Sequence, residues 1–314
     1  MSLAARILPI FLLLALGWAL RAGRFMDDAT ANALKLIVVR IVLPAVLFLS
    51  FVDLELRGNY VALMALVFGV CVAGLLIGPA LLRMAGIARL WARFLMTGYE
   101  YGMLGVGLVA GTWGLAAVST IAVVALGHEL FIWFVFFALL VGRRDGGARA
   151  LSLAADFARN PVVIAILAGL VLNVLGLHTA ELEQAPIANA FLATLRMLAP
   201  LTAPLILLVI GHGLYFEAGA FGEVAKLVGL RLAVQLPLAA LCAYGVVGPL
   251  GMEARFGVAL ATLMILPPPF IVPLFMPADE SGAEERRFVH RVLTVHTLIS
   301  LVIFAGIAVL TPGL

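Results

Sequence analysis

Ten long apolar runs, separated by short stretches where arginine, glycine and proline gather, dominate this sequence. They lie near 4–22, 30–51, 60–82, 94–113, 117–141, 157–177, 188–214, 224–247, 255–277 and 288–311. About 20 apolar helical residues match the hydrocarbon core of a bilayer. Most of these runs are apolar on every side, whereas a helix on the surface of a water-soluble protein keeps one polar face. The chain is 64% hydrophobic and 12% charged, against roughly 25% charged in a soluble domain, and lipid is the solvent that tolerates such a surface. The expectation is an all-α integral membrane protein of ten transmembrane helices.

Charge placement predicts an orientation. With the N-terminus outside, the loops after spans 1, 3, 5, 7 and 9 and their edges carry thirteen Lys and Arg residues, from Arg21 and Arg24 to Arg286, Arg287 and Arg291. The opposite side carries only Arg6, Arg57 and Arg255. That bias puts the basic side in the cytoplasm and both termini outside it; the short loops and arginine usage suit a bacterial inner membrane. The run from Ile7 to Leu20 mimics a signal peptide, but Arg21 and Arg24 follow it instead of a small-residue cleavage site, so it reads as a retained first span.

The longest polar stretch, 143–156, holds Gly146 and Gly147 and divides the chain into 1–142 and 157–314, five spans each. Two halves with an odd number of spans must be oppositely oriented, which is the arithmetic of an inverted repeat. Pro44 in span 2 and Pro204 in span 7 stand 160 residues apart, and the same offset carries Gly105 of span 4 to the edge of span 9's proline cluster.

Spans 4 and 9 carry the strongest local signals. Span 4 contains Gly98, Gly102, Gly105, Gly107, Gly111 and Gly114; span 9 contains Pro267, Pro268 and Pro269 in succession, then Pro273 and Pro277. Three consecutive prolines cannot continue an α-helix, since each lacks an amide donor and clashes with the turn before it. Span 9 should break near its middle, and a half-helix that begins inside the bilayer aims unpaired N–H groups into whatever lies there. Two such breaks facing each other make a binding site without a cofactor.

Charged groups at bilayer depth are costly and mark function. Glu100, between Tyr99 and Tyr101, sits at the expected break of span 4; it could exchange a proton, ligate sodium, or face a cationic solute. His128 and Glu129 lie near the middle of span 5, about 100° apart on the helix, so they need not touch. His296 holds the matching place in span 10. These are candidate proton-relay or coupling groups, with buried polar contacts between helices as the alternative. Lys35 and Arg231 are expected to snorkel to helix ends, His212 to be solvated at the interface, and Asn173 and Gln235 to bond between helices.

Other classes are disfavoured. Basic residues form topological clusters rather than a nucleic-acid patch. Cys71 and Cys242 lie within apolar runs without metal-type neighbours and read as small core residues. Ile132 stands where a zinc-protease HExxH motif would need its second histidine, and neither a nucleophile elbow nor a phosphate-binding P-loop is present. No enzyme activity and no cofactor beyond a proton or sodium ion are expected.

Several pieces, in this order and spacing, resemble the auxin efflux carrier family: Ile7-Leu8-Pro9-Ile10-Phe11 through Leu16-Gly17-Trp18, Leu43-Pro44-Ala45 with Leu47-Phe48, Arg159-Asn160-Pro161 with Gly169-Leu170, Ala203-Pro204-Leu205 with Ile210-Gly211, and the span-9 prolines followed by Thr297-Leu298-Ile299-Ser300. The resemblance implies two inverted five-helix repeats with broken, crossing helices 4 and 9. It also implies a scaffold of spans 1, 2, 6 and 7, often dimeric, and a mobile transport part of spans 3–5 and 8–10. It implies small organic anions, often carboxylates, as the solute. One departure concerns the span-4 crossover, where the family usually has Asn, Gly and then Pro; here the matching residues are Glu100, Gly102 and Gly107. The expected site is therefore Glu100, Tyr101, Gly102, Gly105, Pro267, Pro268, Pro269 and Pro44, with Glu100, His128, Glu129 and His296 as coupling groups. The expected activity is proton-coupled alternating-access transport, with a sodium symporter or a uniporter of another solute as the alternative.

Overall fold

In a computed structural model, residues 3–145, 158–214, 221–276 and 282–311 are described. The predicted connecting loop lies outside them from residue 146 onward, as does Pro277. The described residues are all-helical, with no strand among them. Six helices are long and apolar enough to cross a membrane, and three shorter apolar helices accompany them.

In chain order the elements are α1 (Leu3–Ala22), α2 (Asp28–Val52), α3 (Asn59–Met84), a single turn α4 (Ala92–Leu95), and α5, a π-helical turn Tyr101–Gly105 continued by Val106–Trp113. Then follow α6 (Leu115–Arg143), α7 (Pro161–Val174), a short α8 (Thr179–Leu182), α9 (Pro186–Gly213), α10 (Phe221–Gly245), α11 (Ala254–Ile265), a 3-10 turn Val272–Phe275, and α12 (Ala283–Leu310). Each apolar run of the sequence is helical, and runs 4 and 9 are both interrupted.

Two helix pairs have the most extensive contacts, α1 with α9 and α7 with α2. Each approaches through a glycine. A methyl group on Gly17 of α1 would collide with the Leu208 carbonyl of α9, and one on Gly169 of α7 would lie 3.0 Å from the Phe48 carbonyl of α2. Small residues at such crossings let backbones approach, which is how helices gain van der Waals contact in lipid. Likewise, Gly127 of α6 sits on the Met64 carbonyl of α3. The outer faces expose large apolar side chains such as Leu76, Met197 and Val302, the inverse of a water-soluble surface.

Local chemistry fixes several ends. Asn160 accepts the Val162 amide at 2.9 Å and Pro161 starts α7, a polar N-cap followed by proline. Asn173 near the other end of α7 reaches the carbonyls of Phe51, Val52 and Leu54, the interhelical role expected of it. Arg89, between α3 and α4, pairs with Glu223 of α10 and with Glu284 and Glu285 of α12 at 2.7–3.3 Å. Its guanidinium is held above its ordinary value first by the Glu223 hydrogen bond.

Candidate functional site

The two interrupted runs meet. After α4 the chain turns through Gly98, whose φ of +69° suits a residue without Cβ, and passes Tyr99 and Glu100 before α5 begins. After α11 it runs non-helically from Leu266 to the 3-10 turn at Val272. A Cβ on Gly98 would come within 2.9 Å of Pro269, and one on Gly105 within 2.9 Å of Leu266. Gly98 thus makes room for Pro269 of the other segment, and Gly105 for its Leu266. Gly102 meets nothing within 4 Å.

Backbone groups freed inside a membrane protein must find partners, and at this crossing most of them do. Glu100 has φ −80° and ψ 65°, an inverse γ-turn closed by Tyr101 N–H donating to the Tyr99 carbonyl at 2.9 Å. Its own N–H donates across the crossing to the Pro267 carbonyl at 2.8 Å. Its carboxylate accepts from the Phe270 amide at 2.6 Å through Oε2 and from the Met103 amide at 3.3 Å through Oε1. One acidic side chain therefore caps α5 and bridges to the segment that follows α11. The three prolines bring no N–H to the break, so fewer donors there need an acceptor.

Behind Glu100, the Tyr99 amide donates to His128 Nε2 at 2.9 Å. A backbone amide is always a donor, so Nε2 must be the accepting nitrogen and the proton sits on Nδ1. Nδ1 points to Glu129 Oε1 at 3.2 Å, and the other Glu129 oxygen accepts from Trp133 Nε1 at 3.1 Å. The expectation that His128 and Glu129 need not touch is corrected: side-chain length closes the gap between adjacent helical positions. His296, wholly buried, has neither ring nitrogen hydrogen-bonded among the described residues.

Arg231 does not snorkel. It is fully buried in α10, where Nη1 donates to the Leu95 carbonyl at 2.6 Å and Nη2 to the Gly98 carbonyl at 2.5 Å, with the Leu266 carbonyl at 3.5 Å. Its guanidinium lies 5.5 Å from the centre of the Tyr99 ring. Carbonyl ends of the broken segments draw it inward, a partner that apolar neighbours in sequence cannot announce. Lys35 lines the same cavity as Asp28, Ala31 and Asn32 of the first turns of α2. His212 is buried rather than interfacial, with Nε2 3.0 Å from the Met26 carbonyl. The side-chain oxygen of Gln235 has no hydrogen-bond partner among the described residues.

The cavity, about 630 Å³, lies between α2 and α9 on one side and the crossing and α12 on the other. Met103 and Phe270, whose amides hold Glu100, line it together with Arg21, Arg286 and Arg287. Among its described lining residues, Arg21, Lys35, Arg286 and Arg287 are basic and Asp28 is the only acid. The structure thus brings together Glu100, Tyr101, Gly105, Pro267, Pro269, His128 and Glu129. Pro44 stands instead at the start of the α-helical part of α2, directly after a π-helical turn Val38–Val42. Pro268 lies within the break with no side-chain role evident. Among the described residues no His, Cys, Asp and Glu cluster could hold a metal ion.

No family model matches the chain, and no curated protein matches it.

Proposed function

We propose that this chain is a secondary transporter of ten membrane spans that carries a small organic anion by alternating access, with its site where the two broken spans cross. The observation that carries the reading is the crossing itself: two interrupted segments whose freed amides converge on one carboxylate, at the end of a basic cavity. Broken helices in proteins of this kind aim half-helix N-termini at anionic groups. Four basic side chains against one acid favour an anionic solute, and 630 Å³ is within the range of small-molecule pockets.

An inverted repeat is supported by paired features. Gly17 on Leu208 and Gly169 on Phe48 are matching contacts, each joining a glycine of one half to a carbonyl of the other, and Phe48 and Leu208 keep the 160-residue offset of Pro44 and Pro204. Pro79 inside α3 and Pro237 inside α10 repeat the motif. Around the crossing the offset is 168, which carries Tyr99 to Pro267 and His128 to His296; this replaces the 160-residue match for Gly105. In this reading α1, α2, α7 and α9 form the scaffold and the remaining spans move. The cavity borders the basic ends assigned to the cytoplasm, so the conformation is inward-open, in an inner membrane with both termini outside. A homodimer through the scaffold is part of the same reading.

Coupling follows from the carboxylate. An anion reaching the end of the cavity competes with Glu100 for the Met103 and Phe270 amides. Protonation of Glu100 removes that competition, so one proton accompanies one anionic charge. The test uses proteoliposomes with an entrapped pH dye and inward gradients of membrane-impermeant hydroxy- and dicarboxylates, with amines as the counter-panel. A carboxylate-evoked acidification of the lumen that Glu100→Gln abolishes is expected. Flux of amines alone, or a carboxylate response unchanged by Glu100→Gln, would overturn the assignment.

A further inference from the structure

The crossing contains a second built-in charge, opposite in sign to Glu100 and at the opposite pole of the broken segments. Helix C-termini and unwound carbonyls concentrate partial negative charge, and in carriers with discontinuous helices such carbonyls coordinate a coupling cation. Here the carbonyls are those of Leu95 at the end of α4, Gly98 in the first break and Leu266 at the end of α11. All three converge on the Arg231 guanidinium, at 2.6, 2.5 and 3.5 Å. Tyr99 supplies a ring face to the same group. Among the described residues no carboxylate pairs with Arg231, although it is wholly buried. Its counter-charge is the carbonyl set itself. A planar fork with fixed donors suits several carbonyls at once, which a flexible ammonium does not.

We infer that Arg231 is a tethered cation occupying the place where a sodium-coupled carrier would coordinate its ion, so that this crossing binds no sodium and coupling falls to the proton alone. The inference rests on the crossed half-helix reading above and decides between the two coupling ions that the sequence left open. With the guanidinium seated on these carbonyls, a sodium ion meets an unfavourable field, because a fixed positive charge lies within 3.5 Å of each ligand. Arg231 is a positioning residue, since it holds both breaks in register and touches no solute in this geometry.

The experiment is thermal unfolding of the purified full chain in detergent, read by tryptophan fluorescence. Wild type is measured in sodium, potassium and choline chloride at equal ionic strength, beside Arg231→Ala and Arg231→Lys. Wild type is expected to melt at one temperature in all three salts. Arg231→Ala should melt lower, by on the order of 5 °C, because it orphans three carbonyls. Millimolar guanidinium should restore part of that loss, more than choline at the same concentration, by refilling the vacated place. Arg231→Lys keeps the charge but not the fork and should melt between the two without gaining sodium dependence. A saturable, sodium-specific rise in the wild-type midpoint would overturn the inference, even if Arg231→Ala does not fold. So would a foldable Arg231→Ala that guanidinium stabilises no better than choline. None of these readouts needs flux, so a failure of carboxylate-driven acidification with guanidinium rescue intact would count against the transport reading alone. Sodium-driven carboxylate flux in wild type would count against this inference alone.

Discussion

In the break between α4 and α5 the amide after Gly98 is a donor, and His128 meets it; in the break after α11 the residue matched to it by the proposed repeat is Pro267, which has no amide, and His296 has no hydrogen-bond partner among the described residues. The first break supplies the anion, Glu100, and the second supplies the Phe270 donor it binds. Helix α10 supplies the cation, Arg231, which reaches the Gly98 carbonyl of the first break and the Leu266 carbonyl of the second. On the proposed inverted repeat, a frame shared by both halves carries chemistry that the halves do not share, and the side chains that differ between the two breaks set the chemistry of the crossing.

The largest expected effect strikes the carboxylate that both breaks share. Glu100→Ala leaves the Met103 and Phe270 amides without an acceptor, at about 1–3 kcal/mol for each buried group, and should abolish any carboxylate-evoked proton flux as well. Retained flux with a normal melting temperature would mean the breaks are held together by something other than this carboxylate. Next come the glycine twins. Gly17→Ala and Gly169→Ala each push a methyl group onto a facing backbone carbonyl and should cost about 1–3 kcal/mol, with similar values in a denaturation assay. A large effect at one and none at the other would break the repeat at the scaffold.

The histidine pair sharpens the contrast. His128→Leu orphans the Tyr99 amide and one oxygen of Glu129 and should destabilise by about 1–3 kcal/mol, while His296→Leu removes two unpaired buried nitrogens and should be neutral or stabilising. Equal losses at both positions would show that His296 has a partner of its own. The smallest effect is at the edge of the scaffold. Asn160→Ala removes the N-cap of α7 and should cost about 1 kcal/mol. Melting in detergent measures it.

Hydropathy made the helices legible, because an apolar run long enough to span a bilayer leaves little else to form. The break after Ile265 was legible from Pro267, Pro268 and Pro269, since backbone geometry forbids the alternative. Glu100 stood out as a carboxylate in an apolar run. Arg231 did not, since distance from a helix end along the sequence says nothing of which carbonyls lie beside it in space. Its signal was the apolar flank, Leu230 and Leu232, with Lys226 already available nearer the end of the helix. The cavity depends on how α2, α9 and α12 lean together, which no local pattern encodes. The proton position on His128 was equally out of reach, because the amide that fixes it comes from another span.

Three successive residues without an amide hydrogen also determine how this site can be watched. In hydrogen–deuterium exchange a peptide covering the break carries no label at Pro267, Pro268 or Pro269, so its slow deuteration is dominated by the amides on either side. Of these, Phe270 donates to the Glu100 carboxylate. The deuterium uptake of that short peptide, followed across pH or during turnover, is therefore an isotopic clock for a single hydrogen bond: it ticks each time the carboxylate lets go.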